Sequence, residues 1–185
     1  MKKITLLLTF ILTASIVGDY SFAAEPQLAF TPQNGFAGES EGNGTLKFFF
    51  GKPRPFHVES HGSAQSDGTF RLEQTVTFEG KPPENRVWIL TAVSPDHYSA
   101  TLSDAAGAVT GSTSGAHLSS HYRVNGPFFV YQELQLMPDG KTIDNVGFIT
   151  LLGIAVGHLH ETITRREPGI TPKNSFTPKP LGGPA

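Results

Sequence analysis

The sequence predicts an all-β protein, a single antiparallel barrel of about eight to ten short strands. Three observations predict it. Fourteen Phe and twenty Gly stand against two Met and one Trp, a balance that suits aromatic-rich strands and tight turns. Apolar and polar residues alternate with period two, most clearly from Thr69 to Glu79. Turn signals recur about every 8 to 12 residues, and an open sheet of so many strands would expose its edges, so closure is expected.

The chain opens with Lys2 and Lys3, an apolar stretch from Ile4 to Val17 broken only by Thr and Ser, and the small residues Ser21 and Ala23. This is the pattern of a secretory signal peptide over 1–23, cleaved between Ala23 and Ala24. The stretch is short against the roughly 20 residues of a bilayer-crossing helix, and Gly18-Asp19 ends it. The remaining chain is therefore expected in the periplasm. It has no Cys, which excludes disulfides, thiol chemistry and a lipid-modified cysteine, so no stable membrane anchor is expected. Lys and Arg number 14 against 16 Asp and Glu, without a basic cluster, and nucleic acid is not an expected partner.

Residues 24–34 carry Pro26 and Pro32 without a period and read as an extended arm. A barrel domain over 35–167 follows. Gly44 to Gly51 and Phe56 to His61 supply a first hairpin, and Ser66-Asp67-Gly68 turns into the strand that begins at Thr69. On that strand Phe70, Leu72, Val76 and Phe78 share the apolar face. Glu79 to Pro83 ends it, and Arg86 to Val93 forms the next strand, rich in β-branched and aromatic residues. Ser94-Pro95-Asp96 turns into His97 to Leu102, and a weak strand over Ala108 to Thr113 turns at Ser114-Gly115 into Ala116 to Val124. Phe128 to Met137 ends at Pro138-Asp139-Gly140-Lys141, and another strand starts near Thr142. Val146 to Gly157 has the apolar density of a helix, but its three glycines and β-branched residues favour a buried, bent strand. Residues 168–185 hold five prolines and three glycines and read as a disordered tail.

Gly35-Phe36-x-Gly38, Gly42-x-Gly44, Phe56-x-Val58, Arg86-Val87-Trp88-x-Leu90, Tyr98, Asp139-Gly140, Asn145 and Leu152-Gly153-Ile154-x-Val156-Gly157 with Arg165-Arg166 occur in that order. In this order and spacing the chain, over roughly Phe30 to Arg166, resembles an uncharacterised bacterial envelope family, mostly Gram-negative lipoproteins, known only as a domain of unknown function. The resemblance implies a lipocalin-like, calycin-type barrel with an interior pocket and no established reaction. The chain departs from the family pattern twice. It lacks the lipid-modified cysteine, and Tyr131-Gln132-Glu133-Leu134 replaces a stretch that in the family holds adjacent acidic residues and a Trp.

Phe48, Phe50, Phe70, Phe78, Trp88, Tyr98, Tyr122, Phe129 and Phe148 are spread over several strands. Such aromatics either fill a barrel core or line a cavity for one small ligand. In the cavity reading, Trp88, Tyr98, Tyr122 and Phe129 contact a small apolar or amphipathic molecule such as a lipid or fatty acid. Arg86 and Arg123 are then the candidates for a bidentate grip on its carboxylate or phosphate. The competing reading is a metal site or enzyme on His158-x-His160, whose imidazoles share a strand face, as do those of His57 with His61 and His117 with His121. An HxH pair is also common on a solvated strand, and a structural envelope protein without ligand is the third reading. Gly111 to Gly115 lacks the strand-to-helix context of a serine elbow, and Gly38, Gly42 and Gly44 lack the following helix of a phosphate loop and read as permitting a strand bend. No catalytic residue and no cofactor is assigned, and a binding protein is favoured over an enzyme.

Overall fold

A computed structural model describes residues 28–166, Asn125 excepted. The expected signal peptide with its Ala23–Ala24 junction, the start of the arm and the Pro-rich tail lie outside the described residues. The elements are α1 (Pro32–Phe36), β1 (Gly38–Phe48), β2 (Arg54–Ala64), β3 (Phe70–Phe78), β4 (Glu84–Ser94) and β5 (His97–Leu102). They continue as β6 (Val109–Ser114), β7 (His117–Arg123), β8 (Phe128–Leu136), β9 (Thr142–Leu151) and β10 (Ile154–Arg165). Every strand pairs antiparallel with its sequence neighbours, and β10 returns to β1, closing a ten-stranded barrel. The expected all-β architecture, a single closed antiparallel barrel, is met.

Alternation along each strand sorts the side chains. On β3 the apolar series Phe70, Leu72 and Val76 is buried inside, while Arg71 and Glu73 pair with each other outside at 2.7 Å. The segment Val146 to Gly157 is a correction. It is a hairpin rather than one buried strand, with β9 ending at Leu151, a turn at Leu152-Gly153 and β10 beginning at Ile154. Leu152 and Ile154 are exposed at its tip. Apolar density suggested burial there, but the two positive φ angles, 50° and 80°, make a reversal.

The extended arm is corrected in its last residues. Thr31 caps α1 by accepting a hydrogen bond from Asn34 N–H at 3.0 Å, and Pro32 opens the helix where its missing N–H costs nothing. Phe30 N–H donates to Gly115 O at 2.8 Å, and the Phe30 ring meets Phe36 edge-on at 5.8 Å. Both rings join Phe70, Leu72, Leu118, Leu134, Leu136, Ile143 and Ile163 in a dense cluster at the end of the barrel where β1 begins. That end is closed. A second cluster, with Ala100, Leu102, Val109, Tyr122, Val130 and Ile149, lines the upper half, and Trp88 and Leu90 pack against both.

Candidate functional site

Above the plug the interior is hollow. Ten strands enclose more room than the eight whose interior side chains just fill, and the cavity left has a volume of about 550 Å³. Its wall is mainly apolar, with Leu46, Phe48, Phe56, Val58, Val76, Phe78, Val130 and Ile149 among its residues. Trp88 on β4 and Tyr122 on β7 meet inside it edge to face, their ring centroids 5.4 Å apart. Such contacts are worth about 0.5–1.5 kcal/mol beyond area burial.

Polar groups line one band of this wall. Trp88 Nε1–H donates to Gln74 Oε1 at 2.7 Å, and Gln74 Nε2 donates to Ser60 Oγ at 3.3 Å. Tyr122 O–H donates to Gln132 Oε1 at 3.1 Å, Gln132 Nε2 to Asn145 Oδ1 at 3.3 Å, and Asn145 Nδ2 to Glu161 Oε2 at 2.9 Å. Every donor in this relay points toward Glu161. Burial pushes the Glu161 carboxyl above the ordinary carboxylate range, opposed by the Asn145 hydrogen bond and by the Arg86 charge. Burial likewise pushes the Tyr122 phenol up to about 12, with Arg86 opposing and Asp104 and Glu161 adding to the rise.

Gly42 makes room for this carboxyl. A Cβ there would overlap Glu161 Oε1 and sit 3.0 Å from Glu161 Cδ. The sequence suggested that this glycine permits a bend, but Gly42 lies within the continuous strand β1, and its role is space.

The ionisation of Glu161 has a sign that can be measured. Its folded pKa lies above the unfolded one, so its contribution to stability is fully present below the ordinary carboxylate pKa. That contribution is lost as pH rises through the ordinary value, about 4.3, toward the folded value. Glu161→Gln keeps the acceptor for Asn145 and removes the charge. It is expected to flatten this part of the stability–pH curve and to raise the thermal midpoint at pH 8 by a few degrees. A variant with the wild-type slope and midpoint would contradict the assignment.

Arg86 and Asp104 stand near the open end. Arg86 Nε lies 2.9 Å from Asp104 Oδ2, an ion pair by distance. The contact does not meet hydrogen-bond geometry, so Arg86 Nε is buried without a hydrogen-bond partner among the described residues; the other carboxylate oxygen, Asp104 Oδ1, is likewise buried without one. Buried polar groups are rarely left so; an anion would accept from the Arg86 guanidinium, whereas Asp104 Oδ1 needs a donor such as a ligand hydroxyl.

Of the six sequence candidates, the structure brings Arg86, Trp88, Tyr98 and Tyr122 to the cavity wall. Arg123 and Phe129 are corrected to the outer surface, exposed and directly paired across β7 and β8. Tyr122 and Val130 beside them point inward, and alternation turns their neighbours out. Phe50 and Phe148, expected among the interior aromatics, are also exposed. His158 and His160 lie exposed on β10, whose inward positions are Leu159 and Glu161. His160 Nε2 is 2.7 Å from Asp144 Oδ1. His57 bonds Asn43, His61 bonds Glu39, and His121 stacks on Tyr131 at 5.9 Å. Among the described residues no three His, Cys, Asp or Glu side chains gather as a metal set.

None of Gln74, Asp104, Gln132, Asn145 and Glu161 was expected as a site residue, although Asn145 stands in the family pattern and Gln132 in the stretch that departs from it. Four of them carried a signal, a polar residue in an apolar inward row: Gln74 follows Leu72, Gln132 follows Val130, Asn145 follows Ile143 and Glu161 follows Leu159, each by two.

Residues 9–165 match the model of a family described as "Protein of unknown function (DUF3833)". No curated protein matches the chain. Among solved structures, the S-type phycobiliprotein lyase CPES from Guillardia theta is similar at 8% identity with a TM-score of 0.58, over 71% of this chain and 88% of that one. A protein of unknown function of the DUF3598 family from Nostoc punctiforme is similar at 11% identity with a TM-score of 0.53. That match covers 75% of this chain and 50% of the Nostoc protein, half its length. At these identities the likeness shows the fold alone.

Proposed function

The chain belongs to the DUF3833 family of proteins of unknown function, and from that premise and the cavity we propose that it binds and carries a small amphipathic molecule in the periplasm, an apolar body with an anionic head such as a fatty acid. The observation that carries this reading is the open, apolar cavity of about 550 Å³ with an incompletely bonded guanidinium near its mouth. Ligand sites of this kind span roughly 300–1,000 Å³, with a few polar groups that fix orientation. The apolar wall takes the hydrocarbon, and Arg86 presents its remaining donors to the head. Burial disfavours the charged form of Glu161, which lessens its repulsion of the head.

The experiment is organic extraction and native mass spectrometry of protein isolated from its own envelope, followed by titration with a fluorescent fatty acid. Arg86→Ala is expected to weaken binding at least about tenfold, the scale of a lost hydrogen bond to a charged group. A neutral probe of the same chain length should lose little. Equal loss for both probes would remove Arg86 as the head anchor, and no saturable binding by the wild-type protein would sink the carrier reading.

A further inference from the structure

The open end of the barrel is rimmed with apolar side chains. Phe49 and Phe50 in the β1–β2 loop are 63% and 102% exposed, and Leu152 and Ile154 at the β9–β10 tip are 83% and 70% exposed. Phe49 N–H donates to Val156 O at 3.0 Å, which holds the two loops together as one patch. Phe148, also exposed, extends it down the outer face of β9. Single exposed apolar residues are ordinary, but a contiguous set at a cavity mouth marks a contact surface.

Leu152 adds an independent observation. It is the one non-glycine with a positive φ among the described residues, at 50°, and Gly153 follows at 80°. A two-residue hairpin with both angles positive favours Asn-Gly and penalises a bulky side chain. Leucine at this point costs stability in the backbone, and its exposed side chain gains no burial to offset it.

The charges around the rim point to the partner. Lys47, Lys52, Arg54, Lys81 and Arg123 lie at strand ends or loops of the open end, against the carboxylates Glu79 and Glu84 and the paired Asp104. The plugged end carries Glu39, Glu41, Asp67, Asp96, Asp139 and Asp144 beside the cations Arg71, Lys141, Arg165 and Arg166, so acids outnumber bases there and the balance is reversed at the mouth. A chain of net charge −2 thus turns a cationic face toward whatever meets its mouth.

We propose that this rim docks reversibly on an anionic lipid bilayer. Phe49, Phe50, Leu152 and Ile154 enter the boundary between headgroups and acyl chains, the cations lie among the headgroups, and the cavity opens onto the bilayer. The purpose of the contact, loading or unloading an amphipathic ligand, rests on the carrier reading above; the contact itself rests on the rim.

Flotation of the full chain with phosphatidylcholine vesicles, with and without phosphatidylglycerol, tests it. Wild-type protein is expected to float with the anionic vesicles and to be released by salt. Phe49→Ser with Phe50→Ser should lower partitioning at least about tenfold. Leu152→Gly should also lower it while raising the thermal midpoint, because glycine accepts the positive φ. Binding that survives these substitutions, or that is equal on neutral vesicles, overturns the proposal. So does a dimer in light scattering that Phe50→Ser dissociates, if no vesicle binding accompanies it, since the rim would then join two copies. Fluorescent fatty-acid binding without vesicles separates the two readings. Its absence in a wild-type protein that still floats defeats the carrier alone, and its retention in one that does not float defeats the docking alone.

Discussion

Gly62→Ala is expected to destabilise the barrel by about 3 kcal/mol or more, the upper range for overpacking a well-filled site. Gly62 faces inward on β2 directly under α1. A Cβ there would overlap the carbonyl oxygen of Phe36 and lie 2.8 Å from both the Phe36 carbonyl carbon and Phe70 Cζ. The obstacle is backbone, so no rotamer change relieves it, and α1 must withdraw with the Phe30 and Phe36 rings that seal the barrel. Gly51→Ala is the control, because that position has open space and no positive φ, and a change within about 0.5 kcal/mol is expected. Urea midpoints of the two variants and binding of a hydrophobic dye report the outcome. Equal midpoints would show that the plug does not depend on this close approach.

Ser120→Trp is expected to abolish saturable ligand binding, by at least about 100-fold, while leaving the barrel folded. Ser120 lines the cavity on β7, with Gly111 and Gln132 as its cross-strand neighbours. The bare Gly111 leaves the introduced indole free to extend into the hollow, occupying the volume a hydrocarbon would take. Fluorescent fatty-acid titration beside the far-ultraviolet circular dichroism of the variant measures both halves of the prediction. Undiminished binding by a folded variant would place the ligand outside the barrel.

Much of this site was legible before the fold was seen. Arg86 and Trp88 share parity on β4, as Tyr122 does with the inward residues of β7, and all three line the cavity. The same rule excludes Arg123 once Tyr122 is placed inside, because adjacent residues of a strand cannot share a face. Phe129 was harder, since Phe128 beside it is also apolar. The inward row Val130, Leu134 and Leu136 decides between them, burying three aliphatic side chains while the rings of Phe129 and Tyr131 are exposed. The tip at Leu152 ran against composition, because a rim made for contact carries the apolar signature of a core. Thr31-Pro32 carries the signature of a helix N-terminus, which the proline-rich, aperiodic composition around it masks.

The sequence by itself determined what neighbouring residues decide: most of the strands and turns, and the alternation that gives each strand two opposite faces. These follow from steric alternation and turn chemistry within a few residues. Only the tertiary structure decided that β10 closes on β1, that Phe30 and Phe36 seal one end, that Arg86 meets Asp104, and that Trp88 meets Tyr122. Those contacts depend on registers accumulated around ten strands, and so does the hollow between them. No local pattern encodes a distance across a barrel.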